Sequence, residues 1–157
     1  MTVITHPRRQ SKLATMIDSA GGVSVGVALA QARANIEALR AEALKVIEAE
    51  IARLEALPAP TGPDELTSRL DQAYRAATAV IDAAGPFGLS DLCRAAAGLC
   101  DLIGASEPGA DFDWRIVTVH AQSLRLLQAL PPEALEARSR VLESLGKVIE
   151  RKLAQTG

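Results

Sequence analysis

Breaks rich in proline and glycine cut this chain into segments whose apolar residues recur every three or four positions. That pattern admits little besides a stack of α-helices. The breaks are Pro58-Ala59-Pro60-Thr61-Gly62-Pro63, Gly85-Pro86, the connector 104–109 with Pro108 inside it, and Pro131-Pro132. Proline lacks the amide donor of a helix interior and clashes with the preceding turn, so no helix runs through such sites. Between them no segment alternates with the period of two that a half-buried strand needs, and the stripes share a period but no residue pattern. The chain therefore reads as all-α, without internal repeats.

The first long segment predicts a helix from Ser24 to about Leu57. Leu29, Ala32, Ile36, Leu39, Ala43, Ile47, Ile51 and Leu54 would form one buried stripe, with Arg40, Glu42, Glu48, Glu50, Arg53 and Glu55 largely outside it. The short break at 58–63 would fold it against a second helix opened by Asp64 or Glu65, giving a long N-terminal helical hairpin. The face of that second helix is Leu66, Leu70, Ala73, Ala77, Val80 and Ala84. Ser90 is placed to cap a third helix with the stripe Leu89, Leu92/Cys93, Ala96, Leu99/Cys100 and Ile103. Asp111 or Asp113 would start a fourth, and Pro131-Pro132 would separate it from a fifth with Leu135, Leu142, Leu145, Ile149 and Leu153 inward. The expected whole is an antiparallel helical bundle over residues 23–157. Residues 1–22 precede it as a loose or short-helical arm, with a turn of helix over 12–20 and a solvated His6.

Composition narrows the function. A length of 157 residues suffices for one domain with a real core. Hydrophobic residues make up 48% but aromatics only 3%, so the core must be aliphatic, and no platform for stacking bases exists. The net charge of −2, with both signs interspersed, supplies no field for a polyanion, which argues against nucleic-acid binding. No secretory signal and no apolar run of about 20 residues is present, so a cytoplasmic protein without membrane insertion is expected. Cys93 and Cys100 lie seven residues apart on one helix, about 10 Å at its rise, too far to bridge within that helix. They read as reduced core thiols.

His120 is the one histidine of the helical part and the residue that invites a chemical reading. It lies mid-helix in the run 116–127, as the phosphoacceptor of a histidine phosphotransfer bundle does. On a helical wheel it falls near the centre of the apolar arc of Ile116, Val117, Val119, Leu124, Leu126, Leu127 and Leu130, with Ser123 beside it. Thr118, Gln122 and Arg125 occupy the opposite face. A phosphoacceptor imidazole must reach solvent, and phosphotransfer domains carry a pattern like H-x-L-K-G. Here Ser123 and Leu124 stand at the basic and glycine positions. A core histidine bonded to Ser123 or to a backbone carbonyl is the favoured reading, and phosphotransfer is the alternative.

Other constellations are weaker. A metal site would need His120, Cys93, Cys100 and a carboxylate to converge, and the i, i+7 cysteine spacing is also that of core residues, so no metal or cofactor is expected. The acidic run 107–113 lacks the length of a calcium loop and reads as a cap. Gly21-Gly22-Val23-Ser24-Val25-Gly26 has no preceding strand and no Gly-Lys-Ser/Thr, so it reads as a hinge, not a phosphate cradle. The sharper candidate is an interface. A helix of about 34 residues spans about 50 Å and outruns the later helices. Its first turns, with Val23, Val25, Val27 and Leu29, are apolar and low in charge. They suit docking to a second chain, and a homodimer is expected, the alternative being that residues 12–20 fold back over them.

The opening His6-Pro7-Arg8-Arg9, the stretch 21–30 (Gly-Gly-Val-Ser-Val-Gly-Val-Ala-Leu-Ala) and the Ala/Glu/Leu helix after it resemble the alphaproteobacterial chemotaxis protein CheE-like family, over most of the chain. That resemblance implies a small cytoplasmic helical accessory of chemotaxis or two-component signalling that acts through protein contacts. It brings no catalytic residues with it. The expected function is thus a non-enzymatic interaction module with protein partners. The alternatives are phosphotransfer through His120 and an apolar-ligand bundle with a cavity lined by alanine-rich faces.

Overall fold

The structure, a computed structural model, describes residues 24–106 and 112–156. The arm at 1–22, with His6 and the expected turn of helix, lies outside them, as do Val23 and residues 107–111 of the acidic connector. The described residues form five α-helices and no strand: α1 (Val25–Ala56), α2 (Pro63–Ala84), α3 (Ser90–Gly104), α4 (Arg115–Ala129) and α5 (Leu135–Thr156). The chain divides into two compact units, Met1–Ala38 and Leu39–Gly157, with the boundary inside α1.

Local chemistry explains most helix ends. Ser24 Oγ accepts the Val27 N–H at 3.3 Å and caps α1. Pro63 opens α2, where its missing amide costs nothing. There Glu65 reaches back, accepting the Thr61 N–H and the Thr61 hydroxyl, both at 3.2 Å. A short 3-10 turn, Gly85–Phe87, follows, and Gly88 closes it at φ +67, a left-handed conformation that suits glycine. Ser90 does not cap α3. Leu89 holds the cap position, its carbonyl accepting the Leu92 and Cys93 N–H groups, so Ser90 is already helical and its side chain makes no cap bond. The fourth helix also begins later than expected, after Trp114, although Asp113 Oδ1 does accept the Arg115 N–H at 3.1 Å.

In the larger unit α3 is the hub, closely approached by α2, α4 and α5. Its buried face is Leu92, Ala95, Ala96, Gly98, Leu99 and Leu102, and that of α2 is Ala73, Ala76, Ala77, Val80 and Ala84. Small residues on both faces let the backbones come close, which is how an aliphatic core with few aromatics reaches full density. Gly98 is the extreme case: a Cβ there would sit 2.5 Å from Ile149 Cδ1 of α5. Ile116, Val117, Ala121, Leu124 and Leu127 of α4, Leu145 of α5 and Ile47, Ile51 and Leu54 of α1 complete the core. The apolar arc expected on α4 is narrower than its composition suggests, since Val119 and Leu126 are exposed. Leu135 of α5 is exposed as well.

The stripe of α1 departs most from expectation. Only Ile47, Ile51 and Leu54 of it are buried. Leu29, Ala32, Ile36 and Leu39 are exposed and Ala43 is half-buried.

Candidate functional site

His120 is fully buried in the α4 face, turned toward Gly98 of α3. Its Nδ1 lies 2.8 Å from the Ile116 carbonyl oxygen one turn back. A carbonyl only accepts, so Nδ1 carries the hydrogen and donates it. Nε2 is then a lone-pair acceptor, and among the described residues it has no partner. Burial pushes the imidazole pKa down from its ordinary value, and the bond to Ile116 offsets this only in part. The ring is therefore neutral, tautomerically fixed and shielded. Nucleophilic attack on a phosphoryl group needs an exposed nitrogen, and the available one faces the interior. Ser123, the alternative partner, is half-buried and does not bond the ring; the backbone carbonyl does.

Arg125, on the far side of α4, binds Glu55 of α1 with its Nη2 2.8 Å from Oε2. It also donates to Gln128. The cysteines flank the core face of α3. Both are unbridged and half-buried, with Cys93 Sγ 3.9 Å from the Ile81 carbonyl and Cys100 Sγ 3.9 Å from the Thr78 hydroxyl. Burial raises both thiol pKa values, which leaves them as weak nucleophiles. Among the described residues no three His, Cys, Asp or Glu side chains converge as metal ligands would. Asp113 is committed to Arg115 and Lys152, and these cations hold its carboxyl well below the usual range.

An open groove of about 390 Å³ runs past Leu44, Phe87, Leu92, Leu127 and Arg138. A smaller one, of about 220 Å³, lies between Leu54 and Ala121. Neither is lined mainly by alanine, as the apolar-ligand reading requires.

The feature that stands out is the surface of α1. Val25, Val27, Leu29, Ile36 and Leu39 are 66, 56, 53, 54 and 62% exposed, so each large apolar side chain keeps more than half its surface in water. Val23, the fourth expected interface residue, is outside the described residues. Val25 and Leu29 share one face, whereas Val27 lies about 200° around the helix from Val25 at 100° per residue. Ile36, Leu39 and Val46, the last 46% exposed, continue the Val25/Leu29 face. Sequence reasoning gave Ile36 and Leu39 to the core and passed over Val46. Their signal is the unbroken alternation of three- and four-residue steps from Val25 to Val46.

Among the described residues no helix is long and apolar enough to cross a membrane. No family model matches the chain, and neither a curated protein nor a solved structure matches it.

Proposed function

We propose that the chain is a non-enzymatic helical interaction module, a cytoplasmic accessory of bacterial chemotaxis or two-component signalling that binds protein partners through α1. The observation that carries this is the solvent-exposed apolar face of Val25, Leu29, Ile36 and Leu39. Large apolar side chains left in water along one helix, outside any core, mark an association surface in a folded protein. Within the larger unit, Ile47, Ile51 and Leu54 are buried and anchor the C-terminal turns of α1 in the core. The signalling setting rests on the resemblance of the 6–9 and 21–30 stretches to the CheE-like family. Phosphotransfer through His120 is not adopted, because the only unprotonated ring nitrogen is buried against α3.

The test is binding of the full chain to purified chemotaxis receivers, kinase and adaptor proteins by calorimetry. It compares wild type with Ile36→Glu/Leu39→Glu and with His120→Leu. The expected result is a complex lost in the first variant and kept in the second. Phosphate label passing from a phosphorylated receiver to wild type but not to His120→Leu would overturn the reading.

A further inference from the structure

The exposed face of α1 follows a strict heptad. Writing Leu29, Ile36 and Ala43 as the a positions makes Val25, Ala32, Leu39 and Val46 the d positions. All seven are apolar, in steps of three and four without a break. A face shaped to pack on a globular core drifts with the 3.6-residue period of the helix. A seam that holds 3.5 over three heptads is matched instead to another helix supercoiling along it.

The end of the seam is as informative as its course. The next a and d positions are Glu50 and Arg53, and these two are charged and paired with each other at 3.2 Å. From there the apolar residues leave the a/d seam for Ile47, Ile51 and Leu54, at e and b positions, and these are the ones buried in the chain's own bundle. One helix thus carries two apolar faces with a defined handover. The face before the handover is exposed, apart from the half-buried Ala43.

The flanking positions say what fits. Arg33 and Arg40 are at e, and Ala28, Asn35 and Glu42 are at g. A parallel, in-register pair sets g against the e position five residues on in the other helix. That places Ala28 by Arg33 and Asn35 by Arg40, with no like charges opposed, while the e position after Glu42 is Ile47, which is buried in the chain's own bundle. An antiparallel pair sets e against e and stacks Arg33 and Arg40 along one flank, where like charges repel. Ile36 at a with Leu39 at d is the combination that favours two strands, and Ala32 and Ala43 let the helices approach. We infer that residues 25–46 form a parallel, in-register, two-stranded coiled coil with a second copy of this chain. This deepens the interaction reading by naming the partner of that face.

The test uses the full-length protein with a single cysteine introduced at either end of the seam, Val25→Cys or Val46→Cys. Wild type, which retains Cys93 and Cys100, is the control. In a parallel pair each new cysteine meets its own copy, so each variant oxidises to a covalent dimer whose peptide map shows a 25–25 or a 46–46 link. In an antiparallel pair the identical positions are tens of ångströms apart at 1.5 Å per residue. There the single variants stay uncrosslinked although light scattering shows a dimer, which overturns the parallel inference and leaves the interaction reading standing. Light scattering on wild type separates the remaining case. A monomeric mass at 100 µM would overturn self-pairing altogether, and the calorimetry above would still decide whether the face binds another protein.

Discussion

Arg138 Nε lies 2.6 Å from Asp91 Oδ2, and the same guanidinium donates through Nη1 to the Leu127 and Leu130 carbonyl oxygens at 2.9 and 2.8 Å. One side chain of α5 thereby ties the start of α3 to the end of α4. The reason lies at Pro131-Pro132. Prolines supply no amide hydrogens, so the last carbonyls of α4 lack the donors a continuing helix would give them, and a cation at a helix C-terminus also favours the dipole.

Arg138→Ala removes the ion-pair partner of Asp91 and the donors to both carbonyls. The pair is mostly shielded, with 13 and 27% of its side chains exposed. A loss of about 2–4 kcal/mol in chemical denaturation is expected. Arg138→Lys keeps the charge but not the planar fork, and should recover less than half of that loss. Glu55→Ala, which breaks the more exposed pair with Arg125, should cost under about 1 kcal/mol.

The buried His120 makes stability depend on pH. Its folded-state pKa lies below the ordinary value of 6.5, so the unfolded chain takes up the proton first as pH falls. Above pH 6.5 the ring is neutral in both states and contributes no slope. Below it, stability declines until the folded state is protonated too. Denaturation midpoints of wild type should drop from pH 7 to pH 5 more than those of His120→Leu. At pH 7 that variant should stay within about 1 kcal/mol of wild type, because a nitrogen without a partner is removed along with the Ile116 bond. Equal pH profiles would mean that the ring is exposed.

Gly98 and Ile149 should prove coupled. A methyl at position 98 meets Ile149 Cδ1 at 2.5 Å and must displace it. Against this, alanine is worth up to about 1 kcal/mol over glycine within a helix. Gly98→Ala alone should therefore be neutral to destabilising. Combined with Ile149→Val, which deletes Cδ1, it should be more stable than the two single changes predict, by about 1 kcal/mol in a double-mutant cycle.

Helix positions were legible from the breaks. The residues at 58–63, Gly85-Pro86 and Pro131-Pro132 stop helices within a residue or two of where composition put them, because proline and glycine act locally. The all-α architecture follows from the same periodicity, and so do Leu92, Ala96 and Leu99 of the α3 face, but that face turns toward Ala95, Gly98 and Leu102 and leaves Leu89, Cys93, Cys100 and Ile103 half-buried. Faces shared between helices were harder to read. The apolar steps of α1 look alike whether the seam meets its own bundle or another chain. Only burial separates Ile47, Ile51 and Leu54 from Leu29, Ile36 and Leu39. Ser90 looked like a cap because its residue type was right, but the helix starts one residue earlier, on the Leu89 carbonyl. Arg138 carried no signal at all, since its partners are 47 residues away in Asp91 and across a turn in Leu127 and Leu130. His120 was legible as buried from its place among Ile116, Val117, Leu124 and Leu127, though which neighbour it bonds was not.

Pairing of α1 with a second copy of the chain through its exposed apolar face is the proposal on which the rest depends. Its most direct test is the solution mass of the full chain by size-exclusion chromatography with light scattering, for wild type and Ile36→Glu/Leu39→Glu. A chain of 16.5 kDa should run as a dimer in wild type and at the single-chain mass in the variant, with helical content in the larger unit retained. A wild type at 16.5 kDa across the concentration range, unchanged by the two glutamates, would contradict self-pairing through α1.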